Sequence, residues 1–312
     1  EQIDVIEHKG SHALVSAVAG AGKTTTLEAR IHRLIERGVP PQRILVLAFN
    51  RSVRKELQSR FKRFHQSPRI HTFHSLGKSA LERYHAKKGQ PPWNIDSNDF
   101  TKQQLLRESL QTSYPSYSSE DLKSFSDFIE ELKAAGRFPS EVKESLEYEE
   151  VEQWKKLAYE RYEKLRIHAK KRYLEDLIYD LLHIIRARPT WISNKYHHVL
   201  VDEYQDVNRA QQEVLVAVAG STAEIMVVGD PDQCIYEWRG SRPDFITRIF
   251  AQEFPKVKHF SLSNTFRFGH QVSLIANSCI RHNKDRLKTM CISNRDAPAT
   301  EVNFRLTESE AK

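Results

Sequence analysis

Cysteine is scarce in this chain, with three residues among 312, at positions 234, 279 and 291 and without a Cys-x-x-Cys pair. That spacing argues against a disulfide framework or a cysteine-built zinc site and fits a reducing compartment. Long hydrophobic runs are also missing. No apolar stretch approaches the roughly 18 residues of a membrane span. No basic-then-apolar leader precedes the first motif, so no membrane partner is expected. The chain opens at Glu1 rather than methionine, which points to a trimmed boundary. Neither sign of charge dominates: the formal net charge of +7 is only mild support for a polyanionic partner. With 39% hydrophobic and 29% charged residues, the composition is that of a globular protein. Its length allows two compact domains and is too great for one ordinary core.

Two segments carry most of the chemical information. Residues 17–24 read Ala-Val-Ala-Gly-Ala-Gly-Lys-Thr, a phosphate-binding loop. Glycines let the backbone N–H groups cradle phosphates, Lys23 adds a point charge, and the Thr24 hydroxyl suits Mg²⁺. The second segment, Val-Leu-Val-Asp-Glu-Tyr-Gln-Asp at 199–206, places Asp202 and Glu203 at the end of an apolar run expected to be a buried parallel strand. One carboxylate suits the metal, and the other suits orienting and deprotonating a water. Together they predict an ATPase that uses ATP and Mg²⁺.

Around these segments the chain alternates. Ala13–Val18, Ile44–Phe49 and Ile70–Phe73 read as strands, with helices over Thr25–Glu36 and Ser52–Phe64. Gly38 and the Pro40-Pro41 pair stop the first helix. From Ser79 to Asn194 the apolar spacing becomes helical throughout, with Ser118 or Ser119 as an N-cap and Gly136 as a stop. Strands resume at His198–Val201, Glu224–Val228 and Val257–Leu262, followed by a helix over His270–His282 and a last strand candidate at Glu301–Leu306. The expected fold class is α/β, a P-loop parallel sheet with an all-helical insertion. Its sheet domain comprises 1–78 and 196–262, the insertion 79–195, and a further domain begins within 263–312.

Four more clusters fall in order: Ala48-Phe49-Asn50-Arg51, His71-Thr72-Phe73-His74-Ser75, the run from Val228 to Gly240 (Val-Gly-Asp-Pro-Asp-Gln-Cys-Ile-Tyr-Glu-Trp-Arg-Gly), and Asn264-Thr265-Phe266-Arg267. With Gln2 ahead of the loop, this set resembles the UvrD/Rep-like family of superfamily 1 helicases. The combination of Asp-Glu-Tyr-Gln-Asp with Gly-Asp-x-Asp-Gln-x-Ile-Tyr-x-Trp-Arg-Gly is highly specific to that family, and the match covers most of the chain.

The resemblance implies a RecA-like sheet domain and a set of roles. Gln2 would read adenine, its amide donating and accepting on the purine edge. Gly20, Ala21, Gly22, Lys23, Thr24 and Thr25 would hold the phosphates. Thr24 and Asp202 would hold the metal, and Glu203 would be the catalytic base. Gln233 would sense the γ-phosphate, while Phe266 would stack on adenine and Arg267 would reach the γ-phosphate. Gln205 and Asp206 would link their strand to neighbouring motifs. Tyr236, Trp238 and Phe73 would stack on bases, and Asn50, Arg51, His74 and Arg239 would contact single-stranded DNA. Asp176, in a segment resembling the family's Asp-Phe-x-Asp-Leu, would cap or brace a helix.

Departures exist. Thr-Phe-Arg-Phe stands for the usual Asn-Tyr-Arg-Ser, and Ala-Phe-Asn-Arg for the commoner Thr-Phe-Thr-Asn. A Thr-x-His-x-x-Lys-Gly-like segment and a late arginine have no counterpart before Lys312. The expectation is therefore an N-terminal portion of a helicase, binding ATP weakly and turning it over slowly by itself. The implied activity is ATP-driven 3′ to 5′ movement on single-stranded DNA and opening of single/double-strand junctions, with protein loading partners. The implied location is cytoplasmic and nucleoid-associated, or nuclear in a eukaryote. Two other readings stay open: the motor segment of a helicase-nuclease of the AddA/RecB kind, and a regulatory module that binds single strands and uses ATP as a switch.

Overall fold

Apolar runs separated by helical periods favour one arrangement, strands side by side with helices covering both faces. A computed structural model describes residues 1–62, 67–283 and 286–303, apart from the Arg239 side chain. The chain begins α1 (Gln2–Glu7), β1 (Ala13–Ala17), α2 (Lys23–Glu36), β2 (Ile44–Leu47), α3 (Arg51–Phe61), β3 (Arg69–His71) and α4 (Phe73–Lys87). It continues β4 (Asn94–Ile95), α5 (Asp99–Ser113), α6 (Ser119–Ala134), α7 (Pro139–Glu144), α8 (Gln153–His168), β5 (Lys171–Arg172) and α9 (Asp176–Ala187). Then follow β6 (His198–Val201), α10 (Arg209–Ala219), β7 (Glu224–Gly229), α11 (Phe250–Glu253), β8 (Lys258–Leu262), β9 (Asn264–Thr265), α12 (His270–Ile280) and β10 (Ile292–Ser293).

Six of these strands form one sheet in the order β3-β2-β6-β7-β1-β8, and every neighbouring pair is parallel. The fold is thus the expected α/β class, a parallel sheet with a helical insertion. β1 and β2 are buried throughout, which is why they read as unbroken apolar runs rather than alternating ones. On one face Leu47, Val201 and Val227 pack with Leu76 of α4, Leu181 of α9 and Val214 of α10. On the other, Val15, Val46 and Val228 pack with Leu27 and Ile31 of α2 and with Leu57 and Phe61 of α3.

The strand expected to run to Phe73 ends at His71 instead. Thr72 caps α4: its hydroxyl accepts from the Ser75 amide at 3.2 Å while the Ser75 hydroxyl accepts from the Thr72 amide at 2.9 Å. That reciprocal box starts the helix at Phe73 and turns its ring into the sheet's core. Among the described residues the candidate strand at 301–306 is not seen over 301–303, and 304–306 lie outside them. The helix expected to reach Phe64 ends at Phe61, and residues 63–66 lie outside the described residues as well. A strand the sequence did not suggest, β10, pairs with β9.

Between β3 and β6 the chain is helical except for a two-residue parallel ladder, β4 with β5. α4 and α9 at its borders join the sheet's core, whereas α5, α6, α7 and α8 enclose a separate cluster around Phe125, Tyr159 and Tyr162. Ser118 caps α6, with Asp121 completing the box. Gly136, at φ +68°, lies just beyond the end of that helix, in a backbone region that favours glycine.

Charge is buried inside this helical part. Lys133 of α6 meets Glu163 of α8 at 2.8 Å and also Asp176 of α9. Arg166 joins Glu163 at 2.6 Å to Asp180 at 2.8 Å, and Arg172 reaches Asp180 at 2.7 Å. Asp176 also accepts from the Tyr173 amide at 2.7 Å, so it braces the start of α9. Cations and carboxylates balance, which lets the group stay charged without water. Removing one member leaves a buried charge unpaired, so Lys133→Met is expected to cost about 3–5 kcal/mol in urea unfolding. Lys164→Met, which breaks an exposed pair with Glu160, should cost less than about 1 kcal/mol. Equal effects of the two would show that the buried group contributes no more than a surface pair.

Candidate nucleotide site and aromatic face

All six sheet strands point the same way, so their C-terminal ends share one edge of the sheet, where open α/β folds bind ligands. The chain leaving β1 forms the glycine loop. Gly20 and Gly22 have φ of +77° and +78°, values that side chains resist, and Gly22 caps the N-terminus of α2. The loop therefore offers backbone N–H groups beside the positive end of a helix, the usual setting for phosphate. Gln2 of α1 lies against it, its amide donating to the Ala21 carbonyl at 3.0 Å. Thr25 is exposed on the first turn of α2.

The chain leaving β6 brings the carboxylates. Lys23 Nζ lies 3.2 Å from Glu203 Oε2, and Thr24 Oγ1 lies 3.5 Å from Asp202 Oδ2. Glu203 sits at φ +50°, a left-handed backbone unusual outside glycine, of the kind that stores strain at functional sites. Several hydrogen bonds hold it there: its amide donates to Asp202 Oδ1 at 3.1 Å, and its carbonyl accepts from the Asp206 amide at 3.0 Å. Burial, and then the Glu203 carboxylate beside it, pushes Asp202 up to about 7 despite the opposing pull of Lys23. The same two causes raise Asp206 to about 7. The site thus holds more negative charge than Lys23 compensates.

That excess, with the Thr24 hydroxyl beside the Asp202 carboxylate, suits a divalent cation. Among the described residues no group of three or more His, Cys, Asp or Glu side chains is arranged to hold a metal. A cation held by Thr24 and Asp202 would complete its shell with water and phosphate oxygens, the habit of Mg²⁺.

The chain leaving β7 is tied to the carboxylates through Gln205. Its Nε2 donates to Glu203 Oε2 at 2.9 Å while its Oε1 accepts from the Asp230 amide at 3.0 Å. Asp230 in turn accepts from Gln233 Nε2 at 2.5 Å. A Cβ at Gly229 would stand 2.5 Å from Gln205 Oε1, so only glycine admits this bridge. The sequence pointed to Gln205 as a link; Asp230, which joins that link to Gln233, it did not mark.

The chain leaving β8 closes over the loop. The Phe266 amide donates to the Gly20 carbonyl at 3.0 Å. A Cβ on Gly20 would come within 2.5 Å of Arg267 Cβ and 2.6 Å of Thr265 Oγ1. Phe266 is half exposed and Arg267 exposed, both beside the loop.

Next to this cleft lies an aromatic row. Phe49, after β2, sits 5.4 Å from Tyr236, which sits 6.4 Å from Trp238, measured between ring centres. Trp238 is 73% exposed. Phe73 is only 6% exposed and offers no ring face to a base; its burial follows from the helix that Thr72 starts. The ring beside Tyr236 is the half-buried Phe49, whose place in Ala48-Phe49-Asn50-Arg51 is the available signal. The Asn50 carboxamide oxygen is engaged in capping α3, accepting from the Val53 amide at 2.9 Å. Arg51 is exposed on the first turn of α3, and His74 is half-buried at the start of α4. The Arg239 side chain lies outside the described residues. No helix among the described residues is long and apolar enough to cross a membrane.

Comparison with known proteins identifies the family. The profile of the UvrD/REP helicase N-terminal domain matches residues 1–255. The chain is 28% identical over 296 residues to the ATP-dependent DNA helicase PcrA of Staphylococcus epidermidis, covering 92% of this chain and 40% of that protein. To the ATP-dependent DNA helicase Rep of Escherichia coli K12 it is 29% identical over 295 residues, covering 90% and 43%. To the putative ATP-dependent DNA helicase YjcD of Bacillus subtilis it is 26% identical over 313 residues, covering 95% and 40%. The chain spans about two fifths of the length of these relatives. With more than half of its residues matched by that profile, the chain belongs to the UvrD/REP helicase family.

Proposed function

We propose that this chain carries the ATP-binding and single-strand-contacting parts of a DNA helicase or translocase that moves 3′ to 5′ and opens single/double-strand junctions. The observation that carries this reading is convergence: the glycine loop, the Asp202–Glu203 pair, the Gln233 turn and Phe266–Arg267 meet at one sheet edge. A row of three rings, half-buried at Phe49 and Tyr236 and exposed at Trp238, lies beside them.

In this reading the loop amides and Lys23 take the phosphates. Lys23 leaves Glu203 to do so, which frees the carboxylate to orient a water and accept its proton. Thr24 and Asp202 hold Mg²⁺, which when bound would neutralise charge on the phosphate oxygens. Gln2 reads the adenine edge, Phe266 stacks on the base, and Arg267 reaches the γ-phosphate with Gln233. Gln205 and Asp230 connect the proton acceptor to that sensor. Trp238, Tyr236 and Phe49 stack on successive bases, with Arg51, His74 and Arg239 near the backbone. Stacking tolerates any sequence, as a translocase requires.

The first test is nucleotide binding by this chain, and ATP turnover, with and without single-stranded DNA, in a form as long as its relatives. Lys23→Ala should weaken binding of a fluorescent ATP analogue by about tenfold or more. Glu203→Gln should leave binding within about twofold and lower turnover by at least about 10²-fold, the usual share of a general base. Normal turnover by Glu203→Gln would remove that residue from the proton-transfer role.

Trp238→Ala should lose about 1–3 kcal/mol of single-strand affinity and little on duplex. Equal losses on both would count against stacking.

The raised pKa of Asp202 makes a pH prediction. Its folded-state pKa of about 7 exceeds the ordinary carboxylate value, so its contribution is fully present below about pH 3.9 and lost as pH rises through 7. Without divalent metal, Asp202→Asn should therefore gain several degrees of melting temperature over wild type between about pH 5 and about pH 8. A pH-independent difference between the two proteins would refute the buried, uncompensated carboxylate.

A further inference from the structure

The turn that bears Gln233 is held from a distant part of the chain. Asp232, one residue earlier, receives the Arg286 guanidinium two-pronged: Nε lies 3.0 Å from Oδ1 and 3.1 Å from Oδ2, and Nη2 lies 3.0 Å from Oδ2. Asn283 Nδ2 adds a bond to Oδ1 at 2.8 Å. Both partners are largely covered, with 17% of the arginine side chain and 8% of the aspartate side chain exposed. A covered, forked pair of this kind is stronger and more directional than a surface ion pair. The segment bearing Arg286 is itself anchored, since Arg286 Nη2 also donates to the Thr289 carbonyl at 3.2 Å. Thr289 Oγ1 in turn lies 2.9 Å from Ser16 Oγ on β1, the strand that feeds the glycine loop.

On the other side of Asp232 stands the γ-phosphate candidate. The Asp232 amide donates to Asp230 Oδ1 at 3.1 Å, and Gln233 Nε2 donates to Asp230 Oδ2. The Gln233 amide must leave Asp230 to meet a phosphate, while the backbone of the turn must stay in place for the amide to arrive at the right point. Asp230 goes on accepting from the Asp232 and Gln233 backbone amides, but these bonds are internal to the turn and cannot tie it to a distant segment. Arg286 can, because it grips a carboxylate that the exchange leaves alone.

We propose that Arg286, through Asp232, is a positioning residue for the Gln233 turn, so that discrimination between nucleoside triphosphate and diphosphate depends on the segment following α12. This rests on the ATP-site reading given above. Arg286 touches no nucleotide in this scheme; it acts only through Asp232.

The test is the affinity of this chain for ATPγS and for ADP, each with Mg²⁺, by calorimetry. Arg286→Ala should weaken ATPγS by about tenfold, or about 1.4 kcal/mol, and ADP by less than about twofold. Arg286→Lys keeps the charge but not the fork and should fall between, which covers the event that the alanine variant does not fold. Asp232→Arg combined with Arg286→Asp should recover part of the selectivity. Equal weakening of both nucleotides, or no change in either, overturns the proposal and leaves the ATP site standing. If wild type binds both nucleotides equally and Lys23→Ala abolishes that binding, the phosphate loop stands while the sensing role of Gln233 falls, and this proposal with it. If wild type binds neither, the ATP-site reading itself is lost.

Discussion

The parallel direction of six strands is the constraint on which the rest depends. A parallel sheet brings the end of every strand to one edge, whatever the distance in sequence. Segments following Ala17, Leu47, Val201, Gly229 and Leu262 therefore meet although they are scattered across the chain. An antiparallel pair within this set would have carried one of them to the far edge. The buried runs of Ile, Leu and Val belong to the same arrangement, since the helical crossovers that keep the strands parallel also cover both faces of the sheet.

At that edge the structure gathers negative charge faster than it neutralises it. Asp202, Glu203, Asp206 and Asp230 lie near one lysine, and burial raises Asp202 and Asp206 to about 7 and pushes Asp230 up from its ordinary value. Folding carries this cost together with a left-handed backbone at Glu203. A cation with a polyphosphate would relieve the excess charge, giving Asp202 a counter-charge. The family relationship and the local electrostatics thus point to the same ligand from separate grounds.

The parts of this chain legible in sequence are those governed by local rules. β1, β2 and β6 announced themselves as apolar runs, the glycine loop by its residue types, and Ser118 and Gly136 as helix boundaries. Phe73 was misplaced because a hydroxyl exchange between Thr72 and Ser75 decided the end of β3, and apolar pattern alone does not weigh a capping box against one more strand residue. Phe49 has no local signal of its ring neighbour, because Tyr236 comes from the loop after β7, far along the chain. The Asp232–Arg286 pair and the Ser16–Thr289 contact left no local trace at all. Acidic and basic residues are common, and only the fold says which of them meet.

The two ends of α12 give the site its remaining logic. Before the helix, Phe266 and Arg267 lie on the Gly20 loop; after it, Arg286 grips the Gln233 turn. One helix thus spans from the phosphate loop to the candidate sensor, with a strand pair, β9 and β10, fastening its two flanks to each other. Tyr236 of the aromatic row lies only a few residues beyond Asp232. Phosphate at one end of the turn and a base at the other would then be joined by covalent chain and one ion pair, with no need for a long relay through the core.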